Sequence, residues 1–292
     1  MRRSRGFTIV ELLIVIAIIA VLMSILIPAL AVAKAQATGA VCLGNQRGLI
    51  QAWVLYANDN RGYIVGGDTL GYRYETTPQY SYQHCDWVDQ PQDAAGNLTA
   101  TSPTKSVPDD EQRGIAKGAL FKYVGASIKV YHCPGDRRYL NGSPAASGWR
   151  SYSIAGHLNG SPLLTLVSVP YLVNVKKIED IAASSDKYVF VEEAETVAGY
   201  NARSWVLDPT GKYPTPPGNC WYDPVAIWHN DKSTLSFADG HAATYVWRCQ
   251  ATIQASRDGI KIFSCPTHPP TTRATCPDLV YMQLAYPHGG LK

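Results

Sequence analysis

The chain has 292 residues, with 26 Lys and Arg against 23 Asp and Glu, and 46% of its residues are hydrophobic. That balance lacks the basic surplus of a nucleic-acid binder, and the length suits one N-terminal element plus one large globular region. It contains no Gly-rich phosphate loop, Gly-x-Ser-x-Gly elbow or His-Glu-x-x-His helix, which removes the common motif-borne enzyme classes.

Arg2, Arg3 and Arg5 precede an apolar run from Phe7 to Ala33 in which Glu11 is the single charge. The run exceeds the roughly 20 residues a helix needs to cross a bilayer. The Ala-x-Ala candidates, Ala29 to Ala31 and Ala31 to Ala33, fall beyond Pro28, too late for an ordinary secretory cleavage site. A retained transmembrane helix over about 8–30 is expected, with the arginines cytoplasmic and the remaining chain outside. An unpaired carboxylate inside such a segment costs at least ~2.5 kcal/mol, so Glu11 needs a partner or a function.

Gly6-Phe7-Thr8-Ile9-Val10-Glu11-Leu12-Leu13 resembles the processing site of type IV prepilins and type II secretion pseudopilins. The resemblance implies cleavage between Gly6 and Phe7 by a prepilin peptidase and N-methylation of Phe7. It also implies a role for Glu11: the carboxylate meets the new Phe7 ammonium, either on its own helix face, where i and i+4 are neighbours, or on an adjacent subunit. Cleavage would remove the three leader arginines and bring the formal charge from +3 to zero. Low self-repulsion suits close subunit packing.

Pro28 sits within the helical pattern, where the lost N–H and ring clash predict a kink or local opening. Beyond it, Cys42, Gln46, Leu49, Trp53 and Tyr56 recur at spacings of four and three, one face of an amphipathic helix. Gly39, Gly44 and Gly48 weaken that helix by up to ~1 kcal/mol each, so packing must hold it. Asn58 to Gly62 supplies a stop, with Gly62 or an Asn as a left-handed cap. From Thr8 to Asn58 the helix would span roughly 75 Å, one half protruding and one half docked.

Strand-like runs follow at Leu163 to Val169, Lys187 to Val191 and Thr234 to Trp247, with Gly, Pro, Asn and Ser clusters at 91–118, 141–148 and 208–224 read as loops. In the last run Leu235 and Phe237 share one face, and Asp239-Gly240 reads as a two-residue hairpin turn with positive φ. His229, nine residues, then Asp239-Gly240 resembles the prepilin-type H-X9-DG family of Planctomycetes- and Verrucomicrobia-like bacteria. Cys42-x-x-Asn45-x-Arg47, Tyr56-Ala57-x-Asp59-x-x-Gly62, Cys133-Pro134-Gly135-Asp136 and Ser151-Tyr152-Ser153 carry the same resemblance, while the segment after Trp247 looks like an extension.

His229, Asp239 and His241 offer two imidazoles and a carboxylate, enough for a transition-metal site. Turn chemistry alone also explains the Asp, and His241 also fits as a hairpin cap. Glu192, Glu193 and Glu195 are oxygen donors for a structural Ca²⁺, although the calcium-loop pattern of related pseudopilins is not recognisable. All seven cysteines lie outside the membrane segment, where disulfides are the default. By position in the family-like motifs, Cys42 with Cys133 and Cys265 with Cys276 are the expected pairs, and an odd count leaves at least one thiol over.

The expected fold class is α+β and pilin-like: a long N-terminal helix, transmembrane in its first half, packed on a C-terminal antiparallel sheet domain with long loops. The expected divisions are a leader at 1–6, the pilin helix at 7–60 and a periplasmic or extracellular domain at 61–292 with the hairpin at 229–247. The resemblance implies a structural filament subunit, not an enzyme, with no cofactor beyond a possible structural metal. Its implied partners are other copies or related pilins, the prepilin peptidase, an inner-membrane assembly platform and lipid, with no nucleic acid and no small-molecule substrate. A membrane-tethered metal-binding hydrolase or carbohydrate-binding adhesin is the alternative; it requires a deep pocket that brings His229, Asp239 or His241 together with other convergent polar groups, whereas the structural reading has these residues hydrogen-bonded within the hairpin.

Overall fold

A computed structural model describes residues 8–67, 69, 86–99, 108–138, 148–159, 173–194, 201, 204–207, 209, 221, 223, 225–257 and 276–289. Its first element, α1 (Ile9–Asp59), is one 51-residue helix. Thr8 starts it: the Thr8 Oγ1 accepts the Glu11 N–H at 3.2 Å, and Glu11 Oε2 accepts the Thr8 N–H at 2.8 Å. This reciprocal capping box satisfies two amides that the helix itself leaves orphaned.

The helix runs through Pro28 without interruption, so the expected local opening is not found. Pro28 has no N–H to give to the carbonyl one turn back, yet the flanking turns keep their ladder. Ser24 adds a hydroxyl bond to the Val21 carbonyl at 2.7 Å. Around it, Leu22, Ile25, Leu26, Ile27 and Leu30 are all exposed, and the stretch is long and apolar enough to cross a membrane.

Past residue 40 the same helix changes character. Cys42, Gln46, Leu49, Ile50, Ala52, Trp53 and Ala57 are buried, the expected stripe widened by its neighbours, while Tyr56 sits half-buried with its ring edge-on to Tyr123. At the stop, the Gly62 N–H reaches back to the Ala57 carbonyl at 2.8 Å, a Schellman closure. The left-handed position after the Asn60 cap is taken by Arg61 at φ 58°, with Gly62 following at φ 83°.

The docked half of α1 lies on a four-stranded antiparallel sheet ordered β1 (Tyr152–Ile154), β2 (Tyr188–Glu192), β3 (Lys232–Phe237), β4 (Ala242–Val246). Both faces of β3 are covered, which is why its buried residues run on instead of alternating. Thr234 turns toward the helix side, where the Gln46 amide donates to its carbonyl at 3.1 Å. Leu235 and Phe237 point the other way, as their spacing predicts. The Leu163 to Val169 run lies outside the described residues.

Two sequence expectations need correction here. The stretch 91–118 contains a helix, α2 (Pro108–Lys117): Pro at the first turn, three acidic residues beside it and Lys117 in the last turn are helix-end chemistry that outweighs the Gly/Pro composition. The β3–β4 hairpin has a three-residue loop. Gly240 donates to the Phe237 carbonyl at 2.9 Å and Phe237 donates to the His241 carbonyl at 2.9 Å, and only Gly240, at φ 97°, has positive φ. This is a type I turn with a glycine bulge, whereas a two-residue type I′ turn would put Asp239 at positive φ as well. A Cβ on Gly240 would meet nothing within 4 Å, so Gly240→Ala is expected to cost ~1–2 kcal/mol from backbone strain alone. A lowered thermal midpoint, largely recovered in Gly240→Asn, would show it.

The chain after β4 folds back on the domain through α3 (Gln250–Arg257) and α4 (Pro277–Leu284). The buried Asp278 carboxylate accepts the Arg248 and Cys249 N–H groups at 2.8 and 2.7 Å and the Tyr245 hydroxyl at 2.8 Å. Tyr286 then enters a fully buried aromatic group with Tyr188 and Trp205.

Candidate functional site

Two places bring chemistry-bearing residues together. The first is the start of α1. Gly6 and Phe7 lie outside the described residues, but Glu11 is placed: its carboxylate folds back to the N-terminal end of the helix, receiving the Thr8 amide and, at 2.9 Å, the Thr8 hydroxyl. Thr8-x-x-Glu11 is a capping-box sequence, a signal legible in the chain and absent from the sequence reading. A negative group at this end is also favoured by the helix dipole.

The second place is buried where α1 meets the sheet. Cys42 comes from α1; Cys133 from the turn Cys133-Pro134-Gly135-Asp136, closed by an Asp136 N–H to Cys133 carbonyl bond at 2.9 Å with Pro134 at its second position. Glu192 ends β2, and His229 precedes β3. Ser151 braces the turn, accepting the Cys133 N–H at 3.0 Å and donating to Asp136 Oδ2 at 2.8 Å. Cys42 and Cys133 Sγ stand 2.7 Å apart as free cysteines, so the expected pairing in space is present as two thiols. His229 Nε2 lies 3.3 Å from Cys133 Sγ and 3.3 Å from Glu192 Oε1. All four donor atoms fall within 4.8 Å of one another.

Proximity sets the electrostatics. The hydrogen bond with Cys133 holds the Cys42 thiol down at about 7 in spite of burial. Burial pushes the Cys133 thiol up, and its bond to Cys42 adds to that, so one of the two sulfurs keeps the proton. Burial pulls His229 down, but hydrogen bonds with Cys42 and Glu192 more than offset it and raise the imidazole to about 10.

The expected His229, Asp239 and His241 set is not formed. His229 lies before β3 and the other two after it, separated by roughly 20 Å of extended strand. His241 Nδ1 pairs with Asp239 Oδ1 at 2.6 Å and its ring stacks on Phe237, exposed at the hairpin tip, while His229 is 3% exposed. Polar groups do converge on His229, but in a closed, buried cluster, and Asp239 and His241 stand exposed at the hairpin tip, so the described residues do not form the deep pocket that the hydrolase or adhesin alternative requires around these residues. The calcium set fails for a related reason: Glu192 and Glu193 are consecutive extended residues whose side chains leave opposite faces, and Glu195 lies outside the described residues. The Cys276 thiol, pushed up to about 12 by burial and then by its hydrogen bond with Cys249, has Cys249 as its neighbour. Asp278 causes this by drawing the start of α4 against the end of β4. Cys265 lies outside the described residues.

A long helix, apolar and exposed in its first half and docked on an antiparallel sheet in its second, is a pilin-like arrangement of the α+β class. Residues 1–27 match the prokaryotic N-terminal methylation motif. The chain is 43% identical over 63 residues to the type IV wide pilus major component PilA4 of Thermus thermophilus, a stretch that is 22% of this chain and 48% of that protein. The chain thus spans about half the length of this relative. No solved structure matches.

Proposed function

We propose that this chain is a structural subunit of a type IV pilus-like or type II secretion pseudopilus filament, made as a prepilin, cut after Gly6, methylated on Phe7 and assembled through α1. The observation that carries the reading is the methylation motif at residues 1–27 opening a continuous helix whose apolar first half is exposed. An exposed apolar surface of that size needs a lipid or protein environment. The bilayer supplies it before assembly and neighbouring helices supply it in the filament core.

On this reading residues 1–6 are the leader, 7–60 the pilin helix and 61–292 the globular domain, held outside the cytoplasm on a single-pass anchor in the inner membrane. Peptidase, platform protein and lipid are the partners before assembly, and copies of itself or related pilins after it. The work is assembly, not turnover: Phe7 and Glu11 give register and Pro28 tunes the helix within the filament. The test is the mature N-terminus of chain recovered from membranes or filaments, which is expected to begin at N-methyl-Phe7.

A further inference from the structure

We propose that Cys42, Cys133, Glu192 and His229 bind one zinc ion that rivets α1 to the sheet domain. The donor set is two sulfurs, one imidazole nitrogen and one carboxylate oxygen, all within 4.8 Å of one another. Two thiolates, an imidazole and a carboxylate are ordinary ligands of four-coordinate zinc. Bonds of about 2.0–2.3 Å put tetrahedral ligand atoms roughly 3.3–3.8 Å apart, the range of the two 3.3 Å separations made by His229 Nε2. Seating the ion parts the two sulfurs by about 1 Å.

A second observation concerns the Glu192 carboxylate of the same cluster. Glu192 is 2% exposed and, among the described residues, its Oε2 is buried without a hydrogen-bond partner, while Oε1 takes the Thr234 hydroxyl at 2.5 Å. A buried carboxylate with one oxygen left without a partner is costly, and a cation bound by that carboxylate offsets the cost. A disulfide between Cys42 and Cys133 would leave the His229–Glu192 pair in place and bring no partner to that oxygen.

The surroundings are those of a ligand shell. Thr38 Oγ1 engages His229 Nδ1 at 3.2 Å, fixing the ring so that Nε2 faces the sulfurs, the outer contact that metal-bound imidazoles ordinarily make. The Gly135 N–H donates to Cys133 Sγ at 3.3 Å, which favours the thiolate. Glycines make the room: a Cβ on Gly135 would stand 3.1 Å from His229 Cε1, and one on Gly39 3.4 Å from the same side chain. Four protein ligands and burial on every side make the site closed and structural, with no open position for a substrate. It ties together four points far apart in the chain, at the helix-to-domain junction that has to transmit load in a filament.

The test uses full-length chain in detergent, purified anaerobically without chelator. Zinc is measured by plasma emission, the zinc edge by X-ray absorption, and the oxidation state of the thiols by intact mass and peptide mapping. The expected result is one zinc per chain, as purified or after adding zinc chloride to reduced, chelator-treated chain, with two sulfur and two nitrogen or oxygen scatterers. Cys42→Ser and Glu192→Gln should lower retained zinc at least tenfold. A chain that takes up no zinc when reduced, an absorption edge showing four sulfurs or none, or variants that load like the parent overturns the proposal. So does chain recovered from its native membrane with Cys42 and Cys133 joined as a disulfide, two hydrogens lighter. The edge measurement needs no variant, so a misfolded substitution does not rescue the idea.

Discussion

Glu11→Ala is expected to leave membrane insertion intact and to reduce incorporation into filaments by roughly 60-fold, the factor for ~2.5 kcal/mol. The carboxylate is the only charge in the apolar run, and once Phe7 is freed its ammonium has no other acidic residue in that segment. Loss of the capping box alone costs ~1 kcal/mol at a helix end that can fray. Glu11→Gln separates the two roles: it keeps an oxygen for the Thr8 amide and loses the charge. Membrane fractionation and sheared-filament yield are the readouts. Poor yield from both variants assigns the effect to charge, and normal yield from Glu11→Ala removes the assigned role.

Trp53→Ala is the second large effect, acting on the other half of the same helix. Trp53 is fully buried at the centre of the docked stripe, and truncating a buried Trp costs ~3–5 kcal/mol. Against a total stability of about 5–15 kcal/mol, that lowers the midpoint of the domain by roughly 6–20 °C. The apolar half, exposed along its length, should keep its helicity. Thermal unfolding followed by tryptophan fluorescence and far-ultraviolet dichroism on the detergent-solubilised chain reads both, and an unchanged midpoint contradicts docking through this face.

Local chemistry was legible in the sequence and long-range convergence was not. The apolar run, the spacing of Cys42 to Tyr56, the strand at Tyr188 and the return of the chain after Gly240 all follow from periodicity within a single element, and each appears in the fold. The meeting of Cys42 with Cys133 followed from a resemblance of motifs. Glu192 could not be assigned to that pair, because what delivers it is the β2–β3 register, in which Val191 lies opposite Leu235. His229 is legible as a donor while its companions are not: Asp239 and His241 are near it in sequence, but β3 separates them in space, and they pair with each other at the hairpin tip as turn chemistry allows. The hairpin loop is one residue longer than the Asp-Gly pair alone indicates, because that pair serves type I′ turns and type I turns with a glycine bulge alike.

These features describe one division of labour along α1. Its first half is exposed and apolar, as the proposed function requires of a helix meant for lipid or other subunits, and its second half is buried against the domain. The buried Cys42, Cys133, Glu192 and His229 cluster sits at the upper end of that spine, where the free helix becomes the docked one. The most direct test of the whole account is mass spectrometry of the mature N-terminus from a native, peptidase-competent host. The account predicts a chain beginning at N-methyl-Phe7, with residues 1–6 removed; recovery of the chain with Met1 intact would contradict it.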